Sequence, residues 1–247
     1  MGDMRKDYLL ERSVIVSTKD RKNTSSKKCP FCPGNESMTN PSMLALVARD
    51  GMLQRLQDSD DFFVKNWCVR VFESKNPAVS TSPENSFSDL PLYSEPAYGY
   101  HYIIVASPKH AETFATLDIE QWGNTLVVIQ DRLRWLYTQK GVTYISIFIN
   151  HGKNAGAVID HPHVNMISFS NIPPVIEAEA EASHRILNER VYAQCVKLLT
   201  LRWEDHAKFY KRTVLLHCVP GLHLIHLSFG YYQKNTILFS QKYLKKK

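Results

Sequence analysis

Asn150-His-Gly-Lys-Asn-Ala-Gly-Ala-Val-Ile-Asp-His-Pro-His-Val-Asn165 joins a glycine-bearing polar loop to two histidines that flank a proline. In an extended segment side chains alternate between faces, so His161 and His163 are expected on one side, with Pro162 restricting the backbone that aims them. That pairing suits phosphate chemistry, because one imidazole can hold a metal while the other attacks. The flanks read as strands, Tyr144 to Ile149 before and Val164 to Phe169 after, so the loop from Asn150 to Asp160 has the geometry of a hairpin connection.

Further out, the clearest helix runs from Ile119 to Thr138. Ile119, Trp122, Leu126, Ile129, Leu133 and Leu136 recur there at alternating steps of three and four. Asp118 suits its amino-terminal cap, helped by Gln121, and Gly141 fits just beyond its end. Ser13 to Ser17, Phe62 to Phe72 and Tyr102 to Val105 read as further extended segments, and Asn76 to Pro96 as a turn-rich surface span. Pro173-Pro174 ends this unit, after which Ile176 to Thr200 has the spacing of a second long helix. Mixed strands and helices around one hairpin give an α+β fold.

With 247 residues the chain can bury a substantial core without disulfides. Its five cysteines are an odd number, and Met1 to Arg12 is charged and lacks the apolar run of a signal peptide. A reducing, cytoplasmic setting is expected. No stretch approaches the roughly 18 apolar residues of a membrane helix, so no membrane partner is expected. Of the formal charge of +6, Lys242, Lys245, Lys246 and Lys247 supply four, leaving a body at +2. A solvated basic tail is the simpler reading, and nucleic acid is not an expected partner.

Cys29-Pro-Phe-Cys32-Pro-Gly34 is a cysteine knuckle of the kind that grips zinc, since two intervening residues let both thiolates reach one tetrahedral ion. Alone it is incomplete, and a non-ligating or redox pair also fits it. The missing ligands should be histidines, and His110, in the Ser107-Pro-Lys-His110 turn, and His161 are the best placed. His184, His206, His217, His223 and His226 are given no role.

Taken in order, Tyr8 to Arg21, Cys29 to Cys32, Gly99-Tyr-His101, Ser107 to His110 and Phe148 to Pro174 resemble the galactose-1-phosphate uridylyltransferase family of the histidine-triad superfamily, over about Lys6 to Glu179. The resemblance implies a histidine-triad-like antiparallel sheet with packed helices, Cys29, Cys32, His110 and His161 as zinc ligands, and His163 as nucleophile. It implies transfer of a nucleotidyl group between a nucleotide sugar and a sugar 1-phosphate, and a possible homodimer. A neutral imidazole is nucleophilic at pH 7 and can form a nucleotidyl-histidine, with a backbone carbonyl on the second nitrogen fixing its tautomer. Asn150, Gly152, Lys153, Asn154 and Gly156 would cradle phosphate, an ordinary polar hairpin loop being the alternative.

Two positions depart from the family pattern. A serine usually stands three residues before the first histidine and a glutamine two after the second; here these are Val158 and Asn165. Val158 cannot donate to phosphate, and Asn165 keeps the amide on a side chain one methylene shorter. Asp160 could orient a ligand imidazole or repel phosphate. A phosphorylase using inorganic phosphate, or a zinc-stabilised nucleotide binder without turnover, are the alternative functions.

The expected organisation is a nucleotidyltransferase domain over 1–175, a helix and the start of an incomplete second half over 176–220, and an aberrant, poorly ordered basic tail over 221–247. His217-Cys-Val-Pro220 resembles the start of a strand in the family's second half, whereas the residues from Gly221 onward match nothing in it. One permitted codon set for Phe229 to Lys242, read from its third base, spells Trp-Ile-Leu-Pro-Lys-Lys-His-Asn-Thr-Leu-Phe-Ser-Lys, close to a second-half segment of the family. A reading-frame shift near Pro220 is therefore expected, and the gene sequence tests it. Glu179 could serve a second-half metal site, but its histidine partners would fall in the missing region, so no such site is expected.

Overall fold

Alternation along β-branched runs lets one sheet bury two faces, and that is how the site is positioned. The computed structural model describes residues 2–7, 9, 12–17, 28–83, 94–189, 224–232 and 234–242, the last two by their backbone alone. In chain order the strands are β1 (Gly2–Lys6), β2 (Ser13–Ser17), β3 (Ser42–Arg49), β4 (Met52–Leu56), β5 (Trp67–Glu73), β6 (Ser94–Pro96), β7 (His101–Val105), β8 (Tyr144–Asn150), β9 (His163–Phe169), β10 (Leu224–Tyr232) and β11 (Lys234–Lys242). The helices are α1 (Ile119–Thr138) and α2 (Pro174–Glu189). An eight-stranded sheet has the order β10-β11-β8-β9-β7-β5-β3-β4, and β2-β1-β6 form a smaller one. Every pairing between these strands is antiparallel. The architecture is α+β.

α1 has the expected bounds. Asp118 accepts the Gln121 backbone N–H at 2.7 Å, and Val128, Ile129, Leu133 and Leu136 pack on Leu46, Val71, Ile104, Ile147, Val164 and Met166 from one face of the large sheet. On β9 this leaves His163, Asn165 and Ile167 facing the other way. That opposite face carries Phe31, Val47, Trp67, Phe72, Ile103 and Val105, while Ile167 meets Met4, Val79 and Ala97 beside the small sheet.

Several expected boundaries move. The segment anticipated from Phe62 becomes a strand only at Trp67, because Asn66 takes a left-handed φ of 56°, which interrupts a pleated backbone. β9 opens at His163, one residue before the expected Val164 and no earlier: Pro162 has no N–H to give the ladder, and contributes only its carbonyl, which accepts from the Ala106 N–H at 2.9 Å. α2 starts at Pro174, a residue suited to a first helical position, and of the expected helix to Thr200 residues 190–200 lie outside the described residues. The extension from β8 through β11 and β10 occupies part of the span expected to be poorly ordered. Runs such as Phe229-Gly-Tyr-Tyr and Thr236-Ile-Leu-Phe favour pleated backbone by composition, whatever their origin. Among the described residues no helix is long and apolar enough to cross a membrane.

Candidate active site and metal centre

The knuckle is shaped before any metal is considered. The Asn35 side chain donates to the Cys29 carbonyl at 2.8 Å, the Asn35 N–H to the Cys32 carbonyl at 3.1 Å, and the Gly34 N–H to Glu36 Oε2 at 3.0 Å. Glu36 is 2% exposed and also receives Lys65 Nζ at 2.8 Å and Trp67 Nε1 at 3.2 Å. Burial opposes its ionisation, but these donors outweigh it and hold the carboxyl down at about 2. The loop bearing Cys29 and Cys32 is thus tied to β5 by a buried carboxylate.

His110 and His161 arrive from the other side of the same corner. One ligand atom from each of Cys29, Cys32, His110 and His161 lies within 4.8 Å of the others. His161 Nδ1 is 3.3 Å from His110 Nδ1 and 3.7 Å from each sulfur, and Cys32 Sγ is 3.5 Å from His110 Nδ1. A tetrahedral zinc site has nitrogen–nitrogen edges of about 3.3 Å and nitrogen–sulfur edges of about 3.5 Å, so the four donors fit that ion. The Ser107 carbonyl accepts from His161 Nε2 at 2.8 Å, which leaves the Nδ1 lone pair for a metal. That carbonyl, not Asp160, orients the ring. Burial and the neighbouring Cys29 push the Cys32 thiol up to about 11.

His163 stands beside this corner. Its Nδ1 donates to the His161 carbonyl at 2.7 Å, so in the neutral ring Nε2 carries the lone pair. Burial lowers its proton affinity and keeps it uncharged at neutral pH. Phe31, the apolar residue inside the knuckle, packs edge-on against both rings, with centroids 6.1 Å from His161 and 5.2 Å from His163. His161 and His163 therefore do share a side.

A small open cavity stands over His163, lined by Glu112, Thr113, Phe114, Asn150, His151, Gly152, Ala157, Ile159, Asp160, His161 and Pro162. Of the anticipated cradle, Asn150 and Gly152 line it and Asn154 and Gly156 do not, the backbone from Lys153 to Ala155 forming a 3₁₀ turn. Val158 is 69% exposed and is likewise absent from the lining, so its apolar side chain does not face the cavity. Asn165 is also outside the lining; it lies on the His163 face of β9 and contacts His101. Phe31, Glu36, Glu112 and His151 are not distinguished by the sequence; Phe31 and His151 sit inside quoted motifs, and the histidines that Phe31 meets come from over a hundred residues away.

Residues 4–212 match the family described as Galactose-1-phosphate uridyl transferase, N-terminal domain. Over 207 residues the chain is 27% identical to an ADP-glucose phosphorylase of Arabidopsis thaliana, covering 76% of this chain and 54% of that one. Over 225 residues it is 25% identical to a galactose-1-phosphate uridylyltransferase of Thermotoga maritima, covering 89% and 63%. The chain thus spans only part of the length of these relatives. A solved uridylyltransferase shares the fold with a TM-score of 0.61 at 18% identity, over 93% of this chain and 62% of the other.

Proposed function

This chain belongs to the galactose-1-phosphate uridyl transferase family through its amino-terminal domain, and from that premise we propose that it transfers a nucleotidyl group between a nucleotide sugar and a sugar 1-phosphate. His163 is the nucleophile. The observation that carries the reading is the Nδ1 bond to the His161 carbonyl, which leaves Nε2 as a free lone pair beside a cavity lined by Asn150 and Gly152. Nε2 attacks the α-phosphorus, the phosphorus–oxygen bond to the sugar 1-phosphate breaks, and a nucleotidyl-histidine forms. The positive charge that develops on the ring is shared with the His161 carbonyl. An oxygen of a second sugar 1-phosphate then attacks the same phosphorus, and the phosphorus–nitrogen bond breaks. No net proton is consumed.

Cys29, Cys32, His110 and His161 would hold zinc, whose role is structural rigidity. With His161 fixed, its carbonyl is fixed, and so is the ring that donates to it. Asn150 and the Gly152 backbone would meet phosphate oxygens. A second reading, a phosphorylase in which inorganic phosphate takes the place of the second sugar phosphate, is favoured by the likeness to the Arabidopsis ADP-glucose phosphorylase.

Labelled UDP-glucose and ADP-glucose, mixed with the zinc-loaded chain and stopped in denaturing alkali, should leave label on His163 by peptide mass spectrometry. Alkali is needed because a phosphoramidate hydrolyses in acid. Discharge by galactose 1-phosphate supports a transferase and discharge by inorganic phosphate a phosphorylase. Label on another residue, or none with either donor, would refute nucleotidyl transfer through His163.

A further inference from the structure

The Ala78 backbone N–H donates to His101 Nδ1 at 3.1 Å, and His101 Nε2 lies 3.3 Å from Asn165 Oδ1. A peptide N–H can only donate, so His101 Nδ1 carries a lone pair and the proton of the neutral ring sits on Nε2. That proton needs an acceptor, which identifies the facing atom of Asn165 as its carbonyl oxygen rather than its nitrogen. The Asn165 NH2 group is therefore turned away from His101. It has no hydrogen-bond partner among the described residues. Residues two apart on a strand share a face, so this unpaired donor stands about 7 Å along β9 from His163, on the same side. The register agrees: Val105 lies opposite His163, Ile103 opposite Asn165, and His101 opposite Ile167.

We infer that His101 is a positioning residue, which converts the fixed direction of the Ala78 N–H into a fixed orientation of the Asn165 amide and so aims its NH2 group at an anionic oxygen of the nucleotide. The inference rests on the nucleotidyl-transfer reading above. It also supplies a role for an amide on a side chain shorter than glutamine. Held at its oxygen, the asparagine has no rotamer freedom left to lose when substrate arrives. Released from His101, the amide can rotate and present its carbonyl oxygen to phosphate, an acceptor facing an acceptor.

The test compares His101→Ala and His101→Gln, each with Asn165 intact and with Asn165→Ala, in the full zinc-loaded chain. The readout is the single-turnover rate of nucleotidyl-His163 formation, with zinc content and melting temperature as controls. His101→Ala should slow the step by about 10-fold to 100-fold, the range associated with loosened positioning of one donor. His101→Gln should recover most of the rate, since its amide can accept from Ala78 and donate to Asn165. In the Asn165→Ala background, His101→Ala should add no further loss. Equal losses in both backgrounds, or a His101→Gln variant as slow as His101→Ala, would overturn the inference. Should the wild-type chain form no adduct, the transfer reading itself fails, and long-range proton–nitrogen NMR then decides the His101 question. The inference requires the Nε2–H tautomer and a shift of the Asn165 NH2 resonances in His101→Ala; an Nδ1–H tautomer sinks it.

Discussion

The two sides of His163 are built differently. On one side the knuckle and His161 are held by mutually supporting contacts: Glu36 draws in Gly34, Lys65 and Trp67, Ser107 aims His161, and Phe31 packs against the His161 and His163 rings. On the other, the loop after β8 closes on itself through two backbone bonds to the Gly152 carbonyl, from Ala155 at 3.1 Å and Ala157 at 3.2 Å, and exposes His151, Asn154, Val158 and Asp160. On the proposed function, the rigid side sets where the nucleophile is, and the self-closing side can vary with the substrate it meets. That reading assigns chemistry and specificity to different walls of one cavity.

Removing a proposed zinc ligand tests this division most severely. Cys29→Ser should abolish stoichiometric zinc binding and lower stability by several kcal/mol, since metal affinity in a site absent from the unfolded chain counts as folding energy. Elemental analysis and thermal melts with and without added zinc check both parts. Adduct formation at His163 should fall with them. A variant that loses zinc yet keeps wild-type stability and rate would break the comparison, because the corner would not then be what holds the nucleophile.

A smaller effect is expected at Glu36, and its sign with pH is fixed. The folded carboxyl titrates at about 2 against an ordinary 4.5, so its contribution is complete above the unfolded value and is lost as pH falls through the folded one. Glu36→Gln should therefore cost roughly 1–3 kcal/mol at pH 7, with the gap to wild type closing between about pH 4.5 and pH 2. Denaturant melts of both proteins across that range measure it. A gap independent of pH would mean that shape, rather than charge, ties the knuckle to β5.

Glu36 also marks where reading the sequence stops. The β8–β9 hairpin, the Asp118 cap of α1 and the four sulfur and imidazole donors were legible because each rests on short spacing or on residue types with few other uses. Glu36 was not, since its partners Lys65 and Trp67 lie 29 and 31 residues away and an isolated glutamate reads as surface. The β3–β4 hairpin is hidden in the sequence for a different reason. Asp50-Gly51, with φ values of 50° and 74°, is a recognisable two-residue turn, but it comes after a strand of nearly continuous burial that lacks alternation. The orientation of the Asn165 amide depends on the Ala78 N–H, and no pattern of side chains encodes that bond.

The smallest expected change of stability sharpens the contrast from the loop side. Gly152 has φ +77°, and a Cβ there would meet nothing within 4 Å, so Gly152→Ala adds only backbone strain, about 1 kcal/mol. Because that loop closes on its own carbonyl, the strain should be relieved locally, leaving zinc content and melting temperature near wild type. The rate of adduct formation should nevertheless drop about 10-fold, as expected when a backbone that meets phosphate shifts by a fraction of an ångström. Gly99→Ala is the control from the packed part of the fold: its Cβ would stand 2.0 Å from the Ser168 carbonyl oxygen, a clash with backbone between β7 and β9 that should lower the melting temperature sharply. If Gly152→Ala melts as early as Gly99→Ala, the loop is part of the rigid frame, and the two walls of the cavity are not independent. If it melts like wild type but transfers slowly, the geometry of the loop matters to the reaction without contributing to the stability of the fold.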